Sequence, residues 1–519
     1  MQMCFDEFFY RMNMDYKKFL ITFGITGALL FLAVISFNIV TNPYGIYRLP
    51  GSVVGLNRYP EQGEAMERMA KPLHAAAYKP ETVIVGNSLI NIGINPDDYE
   101  QVTGRRTYNL SVDSARPYEV RRYVEHMLAT DKNLKEVIVA VDITAAYPVE
   151  KFQAGFDEQQ IGLSFQSPAA FAKAALSVDA VKAGLSSFRL NRSQRIEYPS
   201  HYQSGMISDG QQERNYGPIW FYKFLQLNLR TGSERNRSLA MDSLDEYRQM
   251  QRMCAEHGVE FRLFVPPMSA LAMAAYADFY GEGAMETFLR ELAGIAPCCD
   301  FSGIGPWNEQ ASPDAKGAFW DAHHMKPELG KHVMSVLGGQ EAPAGWEGFG
   351  VWLQEQDIHA YALAKQRERT AWCQEHPKLW HEVTHLGIFA REEMKLPAPS
   401  EGSVCLDQFG GRAWADAVEA KAGETINIRG RSTCTGDWKH DMYLALQGDG
   451  GVWYTSMAAP DKRSNATQPG GNDSGFDMGF ELSASTADLK PGLYGVFLWE
   501  VSTEGSRLFG PLGTLSLKE

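Results

Sequence analysis

The sequence is short of the patterns that bind metals and nucleic acids. Its seven cysteines include no CxxC pair, so the closely spaced thiolates of a structural zinc site are missing. Lys and Arg number 49 against 63 Asp and Glu, which leaves a net charge of −14. Nucleic-acid binding requires a basic face. The composition therefore excludes nucleic acid as a main partner and predicts no metal site.

Long uncharged runs are also scarce, and one near the N-terminus is long enough to cross a membrane. The run from Phe19 to Val40 has no charged side chain, and a spanning helix needs about 20 apolar residues. A cleaved signal peptide or a buried core helix is the alternative, but the apolar region of a signal peptide is usually shorter and no small-x-small cleavage site follows here. Lys17 and Lys18 precede the run, which favours a cytoplasmic N-terminus.

We therefore expect a single-pass protein of the inner (cytoplasmic) membrane. Residues 1–18 would lie in the cytoplasm and residues 19–41 would form the transmembrane helix. The bulk of the chain would then be periplasmic or otherwise extracytoplasmic, because one spanning helix places its two flanks on opposite sides.

Strand and helix patterns alternate from residue 80 onward, which is typical of an α/β domain with a largely parallel sheet covered on both faces. We assign residues 42–395 to this domain, including trailing helices. Residues 150–240 within it lack a clear period and are interpreted as an insertion or a substrate-side region. The predicted strands and helices alternate in the order 83–85, 117–128, 137–141, 243–257, 259–265 and 327–337.

The C-terminal part of the chain has a different composition. Residues 396–402 contain two prolines and a glycine and are predicted to be a linker. Beyond them, over 403–519, short alternating strands are separated by Gly, Asp and Pro turns, which is typical of an antiparallel β-sandwich. A chain of 519 residues is too long for one ordinary core, in agreement with this division.

The first predicted strand leads directly to a serine. Gly86 ends the strand and Ser88 follows it, at the end of a strand where α/β proteins bind their ligands. A serine there is placed for nucleophilic attack, but it needs a base. The candidate base is His324, which follows Asp321 by three residues just before a predicted helix. An acid beside an imidazole orients the ring and stabilises its protonated form, and histidine is suited to act as a base near neutral pH.

Two alternatives stay open for this pair. Asp321 and His324 are also compatible with a surface turn that contains two adjacent histidines. His323 is the second candidate for the base, if the register is displaced by one residue.

Taken together, Gly86-Asn-Ser88 and Asp321-Ala-His-His324 resemble blocks of the SGNH (GDSL-like) hydrolase and acyltransferase family. The similarity is greatest to membrane-anchored, cell-envelope members related to alginate O-acetylation proteins, and it covers roughly residues 75–375 in the order of the elements. The resemblance implies a three-layer α/β/α domain. It also implies that Ser88 is the nucleophile, that His324 is the base and that Asp321 completes the triad.

The resemblance extends to the residues that would bind the oxyanion or the substrate, Asn87, Ser111 and Ser114. Ser111 and Ser114 belong to the segment Tyr108–Ala115, which resembles the family's second block. Asn87 replaces the aspartate of the usual Gly-Asp-Ser, and Ser114 stands where the second block has glycine. The third-block Gly-x-Asn-Asp is absent, and Ala140-Val-Asp142 occupies its place. Loss of one oxyanion donor costs roughly two to three orders of magnitude in rate.

These features predict a serine esterase or O-acyltransferase that acts on a cell-envelope or exported polysaccharide. The partners implied are an acylated glycan, the membrane and, for a transferase, a membrane-bound acyl donor protein. Neither a metal nor an organic cofactor is implied. The alternative function is a non-catalytic glycan-binding or assembly protein of a polysaccharide export system, built on the same fold.

Other features of the sequence have two interpretations each. The turn 266–269 either shapes the substrate cleft or only ends a strand. Arg116 either holds an anionic group of the substrate or caps a surface. Cys405 and Cys434 are candidates for a disulfide in an oxidising compartment. The aromatic residues of the C-terminal domain either stack on sugars or belong to its core; they are Trp438, Tyr443, Trp453, Tyr454 and Trp499.

Overall fold

A computed structural model describes most of the N-terminal half of the chain and the strands of its C-terminal part. The main described ranges are residues 2–43, 64–146, 178–193, 241–309, 317–377, 404–432, 441–456, 478–486 and 489–519, apart from gaps of one or two residues, together with short pieces at 56–57, 151–153, 156, 158, 204–206, 379–380, 390–392 and 459–461. The helices are α1 (Gln2–Thr41), α2 (Glu64–Tyr78), α3 (Ser88–Asn91), α4 (Pro96–Thr103), α5 (Pro117–Thr130), α6 (Val178–Ser193), α7 (Asp245–Glu256), α8 (Ala270–Tyr280), α9 (Glu282–Ile295), α10 (Pro327–Leu337) and α11 (Ile358–Glu375).

Helix α1 contains the apolar run. The stretch Tyr16–Thr41 contains an 18-residue segment with a mean hydropathy of 2.3 and is long and apolar enough to span a membrane. Its large side chains are exposed along most of that length, for example Phe23 at 69%, as expected for a helix whose solvent is lipid. The last turn differs, since Asn38 and Thr41 are buried where α1 packs against α6.

The central sheet has six strands in the order β2-β1-β3-β4-β5-β6. Strands β1 to β5 pair in parallel, and the short β6 is antiparallel to β5. Helix α5 packs against α2 and α7, whereas α4 packs against α10. The molecule is therefore mixed α/β with a mostly parallel sheet, as the alternating pattern predicts. The strands are β1 (Thr82–Val85), β2 (Thr107–Asn109), β3 (Glu136–Ala140), β4 (Glu260–Val265), β5 (Cys298–Asp300) and β6 (Val351–Trp352).

This strand order places a topological switch point between β1 and β3. The chain leaves β1 toward β2 on one side and later returns to β3 on the other, so a crevice opens at the carboxyl ends of β1 and β3. Gly86 lies at that point. A Cβ atom added to it would meet the Ile90 side chain at 2.8 Å and the Ala140 side chain at 3.1 Å, so the turn after β1 requires the absence of a side chain.

The opposite, amino edge of the sheet is closed by a buried carboxylate. Glu136, the first residue of β3, has no exposed side chain. Its carboxylate contacts Arg262 and lies 3.0 Å from Arg105 Nη1, and it also accepts hydrogen bonds from Tyr99 Oη at 3.0 Å and Thr82 Oγ1 at 2.9 Å. Burial of a charge is tolerated when it is paired and hydrogen-bonded in this way. This group is not among the residues that line the cleft in front of Ser88.

The C-terminal part forms two separate sheets that are mainly antiparallel. Their strand orders are β10-β17-β16-β12-β13-β7 and β14-β15-β11-β8-β9, and β10 and β17 pair in parallel. Burial alternates along β10, as expected of strands with one covered face. The strands are β7 (Ala390–Glu392), β8 (Val404–Phe409), β9 (Arg412–Ala413), β10 (Ala417–Lys421), β11 (Thr425–Ser432), β12 (Asp441–Gly448), β13 (Gly451–Ser456), β14 (Ala459–Asp461), β15 (Met478–Ser485), β16 (Gly492–Ser502) and β17 (Gly505–Lys518).

The predicted domain limits need one adjustment. Strand β7 lies in the range assigned to the α/β domain, yet it pairs with β13 of the C-terminal part. Most of the predicted insertion at 150–240 and the whole linker at 396–402 lie outside the described residues. The Cys405–Cys434 pairing also lies outside them, because neither thiol is described.

Two of the predicted C-terminal aromatic residues are described with their side chains. The rings of Tyr443 and Trp499 pack against each other with centroids 5.4 Å apart, and both side chains are half-buried. This packing agrees with a position in or beside the core. The side chains of Trp438, Trp453 and Tyr454 lie outside the described residues.

Candidate active site

Ser88 lies at the carboxyl edge of the sheet, where β1 passes into the short helix α3. Asn87 caps this helix, because its side-chain oxygen accepts the N–H of Leu89 at 3.1 Å. Ser88 is the first helical residue, and the first N–H groups of a helix have no partner within it. The Ser88 side chain is half-buried. Strand, cap and helix thus fix the direction of its hydroxyl and leave it accessible.

His324 and Asp321 come from the loop that precedes α10, and His324 contacts Ser88. His324 Nε2 lies 2.9 Å from Ser88 Oγ, and His324 Nδ1 lies 2.7 Å from Asp321 Oδ2. The second oxygen of Asp321 accepts the backbone N–H groups of His323 and His324 at 2.8 and 2.9 Å. The loop therefore folds around its own carboxylate, and the structure brings the three predicted residues into a continuous hydrogen-bonded chain.

The charge states of Asp321 and His324 depend on their burial and on their contact with each other. Burial alone would lower the pKa of His324, but the adjacent Asp321 carboxylate, through its charge and its hydrogen bond, raises that pKa above its ordinary value. Burial alone would raise the pKa of Asp321, and the contacts with His324 bring it below its usual value instead. The pair therefore favours an ionised Asp321 beside an imidazole of increased basicity, which is the state that a general base requires.

The structure distinguishes the two adjacent histidines. His323 Nε2 lies 2.7 Å from the hydroxyl of Tyr276 on α8. Burial lowers the pKa of His323 to about 4, so this ring is neutral at physiological pH. His324 is the histidine that contacts Ser88, whereas His323 lines the cleft together with Tyr276.

Asp142 stands at the end of β3, where the family's third block would place an asparagine. Its Oδ2 accepts a hydrogen bond from Asn87 Nδ2 at 2.6 Å, and its Oδ1 accepts the backbone N–H of Thr144 at 2.8 Å. The side-chain amide of Asn87 is therefore bound to Asp142 rather than directed at a substrate. The Asn87 side chain still lines the cleft beside Ser88.

Ser111 and Ser114, which the resemblance places in the second block, have different positions in the structure. Ser114 is exposed and lines the cleft, and its backbone adopts a left-handed conformation with a φ of 55°. Glycine adopts this conformation most readily, so the backbone at Ser114 has a shape that the glycine expected from the resemblance would also adopt.

Ser111 does not reach the cleft, which corrects its assignment to the oxyanion or substrate-binding group. Its side chain is fully buried, and its backbone N–H donates to Asn109 Oδ1 at 3.0 Å. The same Asn109 side chain donates to the backbone oxygens of Ile90 and Ile94, each at 2.9 Å. The Ser111 side chain points into the protein because the segment after β2 runs through the interior.

The cleft in front of Ser88 has a volume of about 200 Å³. Polar side chains predominate on its wall, among them Arg116, Thr144 and Gln153. Met268 completes the wall from the turn 266–269. The adjacent Ser269 Oγ donates to the backbone oxygen of Ala322 at 2.8 Å, so this turn both shapes the cleft and supports the loop of Asp321 and His324.

Sequence patterns missed Tyr276, the partner of His323, and Gln153 of the cleft wall, and they named Asp142 only as part of the segment in the place of the third block. Tyr276 lies within a helix in which almost every residue is buried, so nothing in the local pattern distinguishes it. A polar residue that directly follows a buried strand, as Asp142 does, was the one usable signal.

Among the residues that the structure describes, no group of three or more His, Cys, Asp or Glu side chains is arranged to hold a metal ion. Comparison with protein-family models gives no match, and neither does a search of curated proteins. The function is therefore argued from the geometry.

Proposed function

We propose that this protein is an SGNH-type serine esterase or O-acyltransferase. The observation that carries the proposal is the chain from Asp321 through His324 to Ser88, with distances of 2.7 and 2.9 Å, at the edge of an accessible cleft. In the proposal, the sheet and its helices form the family's three-layer α/β/α domain, and the two C-terminal sheets form an accessory sandwich.

In the proposed reaction, Ser88 Oγ attacks the carbonyl carbon of an ester while His324 Nε2 takes the serine proton. Asp321 orients the ring and stabilises the imidazolium. Collapse of the tetrahedral intermediate breaks the ester C–O bond, and the imidazolium returns its proton to the departing alcohol. Water or the hydroxyl of an acceptor then attacks the acyl-serine, with His324 again as the base. Hydrolysis and transfer differ only in this second nucleophile.

The developing oxyanion needs hydrogen-bond donors placed before the reaction. The candidates are the backbone N–H groups of Ser88 and Ser114, which lie on two sides of the cleft wall. The usual third donor is replaced by the acidic Asp142, so we expect the rate to be limited by a two-donor site.

The proposed substrate is an acylated polysaccharide of the cell envelope or one that is exported. A wall rich in polar side chains suits hydroxylated rings better than an acyl chain, because buried polar groups need hydrogen-bond partners. In this proposal, α1 anchors the chain in the inner membrane with the cleft in the periplasm or otherwise outside the cytoplasm. A membrane-bound acyl donor protein would be the partner for transfer.

The test compares the wild-type chain with Ser88→Ala on a chromogenic acetyl ester and on acetylated oligosaccharides. We expect Ser88→Ala to lose ester turnover and acyl transfer while its thermal unfolding stays unchanged, because the residue is half-buried and its hydroxyl contacts His324 Nε2. Turnover that survives in Ser88→Ala would overturn the proposal. Glycan binding without turnover in the wild type would favour the non-catalytic function instead.

A further inference from the structure

We propose that Arg68 of helix α2, held in place by Glu119, is a positioning residue for the oxyanion site. It would orient and polarise the peptide group between Asp113 and Ser114, whose N–H is a candidate oxyanion donor. The inference rests on the proposed serine chemistry, and it assigns a catalytic consequence to a helix that does not line the described cleft.

The contact is made with the peptide itself. Arg68 Nη2 donates to the backbone oxygen of Asp113 at 2.6 Å. A trans peptide is planar, and its C=O and N–H point in opposite directions. When Arg68 fixes the Asp113 oxygen on one side, it therefore fixes the direction of the Ser114 N–H on the other. Ser114 lines the cleft, which is the side on which an oxyanion would form.

The charge of Arg68 adds to this orientation. A hydrogen bond from a cation to a carbonyl is stronger than one between neutral groups, and hydrogen bonds in a chain polarise one another where the effective dielectric constant is low. Arg68 is 9% exposed, so its field is only weakly screened. A polarised Asp113 carbonyl makes the N–H of the same peptide a better donor to negative charge.

Arg68 is fixed by Glu119 of helix α5. Its Nε lies 3.0 Å from Glu119 Oε2, and the Glu119 side chain is fully buried. The second carboxylate oxygen of Glu119 accepts the backbone N–H of Gln153, a residue of the cleft wall. Glu119 therefore holds both the arginine and one wall of the cleft.

Asp113 is bound at two further atoms. Its backbone N–H donates to Glu67 Oε2 at 3.1 Å, and its Oδ1 accepts from Asn91 Nδ2 at 2.8 Å. Glu67 and Arg68 are consecutive in α2, so one helix holds both peptide groups that flank Asp113. Such support is needed, because the following Ser114 has a positive φ, and a non-glycine residue keeps that conformation only where its surroundings enforce it.

The experiment uses the full-length chain in detergent or nanodiscs and compares Arg68→Met with Arg105→Met. Each variant removes an arginine 3.0 Å from a fully buried glutamate, although Arg105 is the more exposed of the two arginines and its partner Glu136 keeps Arg262. Glu136, the partner of Arg105, lies at the amino edge of the sheet, away from the cleft. We expect Arg68→Met to lower kcat on an acetyl ester by about 10- to 100-fold while KM changes by less than about threefold, because the interaction strengthens in the transition state. Arg105→Met should keep the wild-type kcat.

A second measurement separates positioning from general damage. A boronic acid forms a tetrahedral, negatively charged adduct with an activated serine, so its affinity reports on the oxyanion donors. We expect Arg68→Met to weaken boronate binding by the same factor as kcat. If Arg68→Met does not fold, the double variant Arg68→Met with Glu119→Gln removes the buried charge as well and should show the same loss.

The outcomes separate this inference from the proposed function. If the wild type hydrolyses esters through Ser88 but Arg68→Met and the double variant keep wild-type kcat and boronate affinity, the positioning role is wrong and the serine chemistry stands. If a loss of kcat occurs equally in Arg105→Met, the effect is general destabilisation and the inference is also wrong. An absence of Ser88-dependent turnover in the wild type would instead overturn the proposed function.

Discussion

The two edges of the parallel sheet both contain buried carboxyl groups, but these groups have different partners. At the amino edge, Glu136 is enclosed by Arg262, Arg105 and two hydroxyl groups, so its hydrogen-bonding capacity is consumed within the protein. At the carboxyl edge, the buried Asp321 binds His324, which contacts a half-buried serine at the rim of a cleft.

The comparison shows what distinguishes a stabilising cluster from a candidate active site. Both edges pair their buried charges, as the cost of desolvation demands. Only the carboxyl edge leads from a buried carboxylate, through a titratable ring, to a nucleophile in contact with solvent. Changes at the carboxyl edge should therefore alter chemistry, and changes at the amino edge should alter stability.

The largest effect on chemistry is expected from His324→Ala, with the adjacent His323→Ala as its control. Loss of the base should lower kcat on an acetyl ester by roughly 10⁴-fold. His323→Ala removes a ring that contacts Tyr276 rather than Ser88, so it should lower thermal stability more than kcat. Steady-state kinetics and thermal unfolding of both variants check this. If His323→Ala instead loses kcat and His324→Ala keeps it, the assigned base is wrong.

Asp321→Asn should have a smaller effect and should also shift the pH profile. Because the pKa of His324 is raised above 6.5 by Asp321, the wild-type kcat/KM should rise with pH through a midpoint above 6.5 as the imidazole loses its proton. Asparagine removes that charge, so the midpoint should move to lower pH and kcat should fall by less than in His324→Ala. A pH–rate profile of each protein measures the midpoint and kcat. If the midpoint is the same in Asp321→Asn as in the wild type, the His324–Asp321 pair is not the origin of the pH dependence.

At the amino edge, Arg262→Met should affect stability and leave chemistry intact. The change leaves the fully buried Glu136 with Arg105 as its remaining cation, and breaking a buried pair costs roughly 3 kcal/mol. Urea unfolding should report this loss in the free energy of unfolding, whereas kcat of the folded variant should stay within about twofold of wild type. A large drop in kcat with normal stability would remove the distinction between the two edges.

The long or strongly apolar elements were predictable from the sequence. Strands β1, β3 and β4 and helix α10 were identified because each has a clear apolar pattern or a Pro-marked start. Strands β2 and β5 were missed, because each has three residues, too few to show a period. Helix α8 was missed for a different reason: it is buried on nearly every side, so it lacks an amphipathic stripe.

Ser88, Asp321 and His324 were identified from the sequence, but the residues that hold this site in place were not. Ser88 and the Asp321–His324 pair stand in local patterns, one after a strand and the other before a helix. The contacts of Asn87 with Asp142 and of Arg68 with Asp113 join residues 55 and 45 positions apart, so no local pattern contains them. Ser111 was assigned to the oxyanion group from the resemblance alone, and no local pattern of the sequence shows that its side chain is buried.

The most direct test of the central claim is active-site labelling of the folded protein. A fluorophosphonate reacts with a serine whose hydroxyl is activated by a neighbouring base, releases fluoride and leaves a covalent phosphonyl group. Mass spectrometry of the digested wild-type chain should find one stoichiometric adduct, on Ser88, and the adduct should be absent from His324→Ala and from heat-denatured protein. Labelling of another residue, or no labelling of a preparation that hydrolyses acetyl esters, would contradict the assignment of Ser88 as the nucleophile.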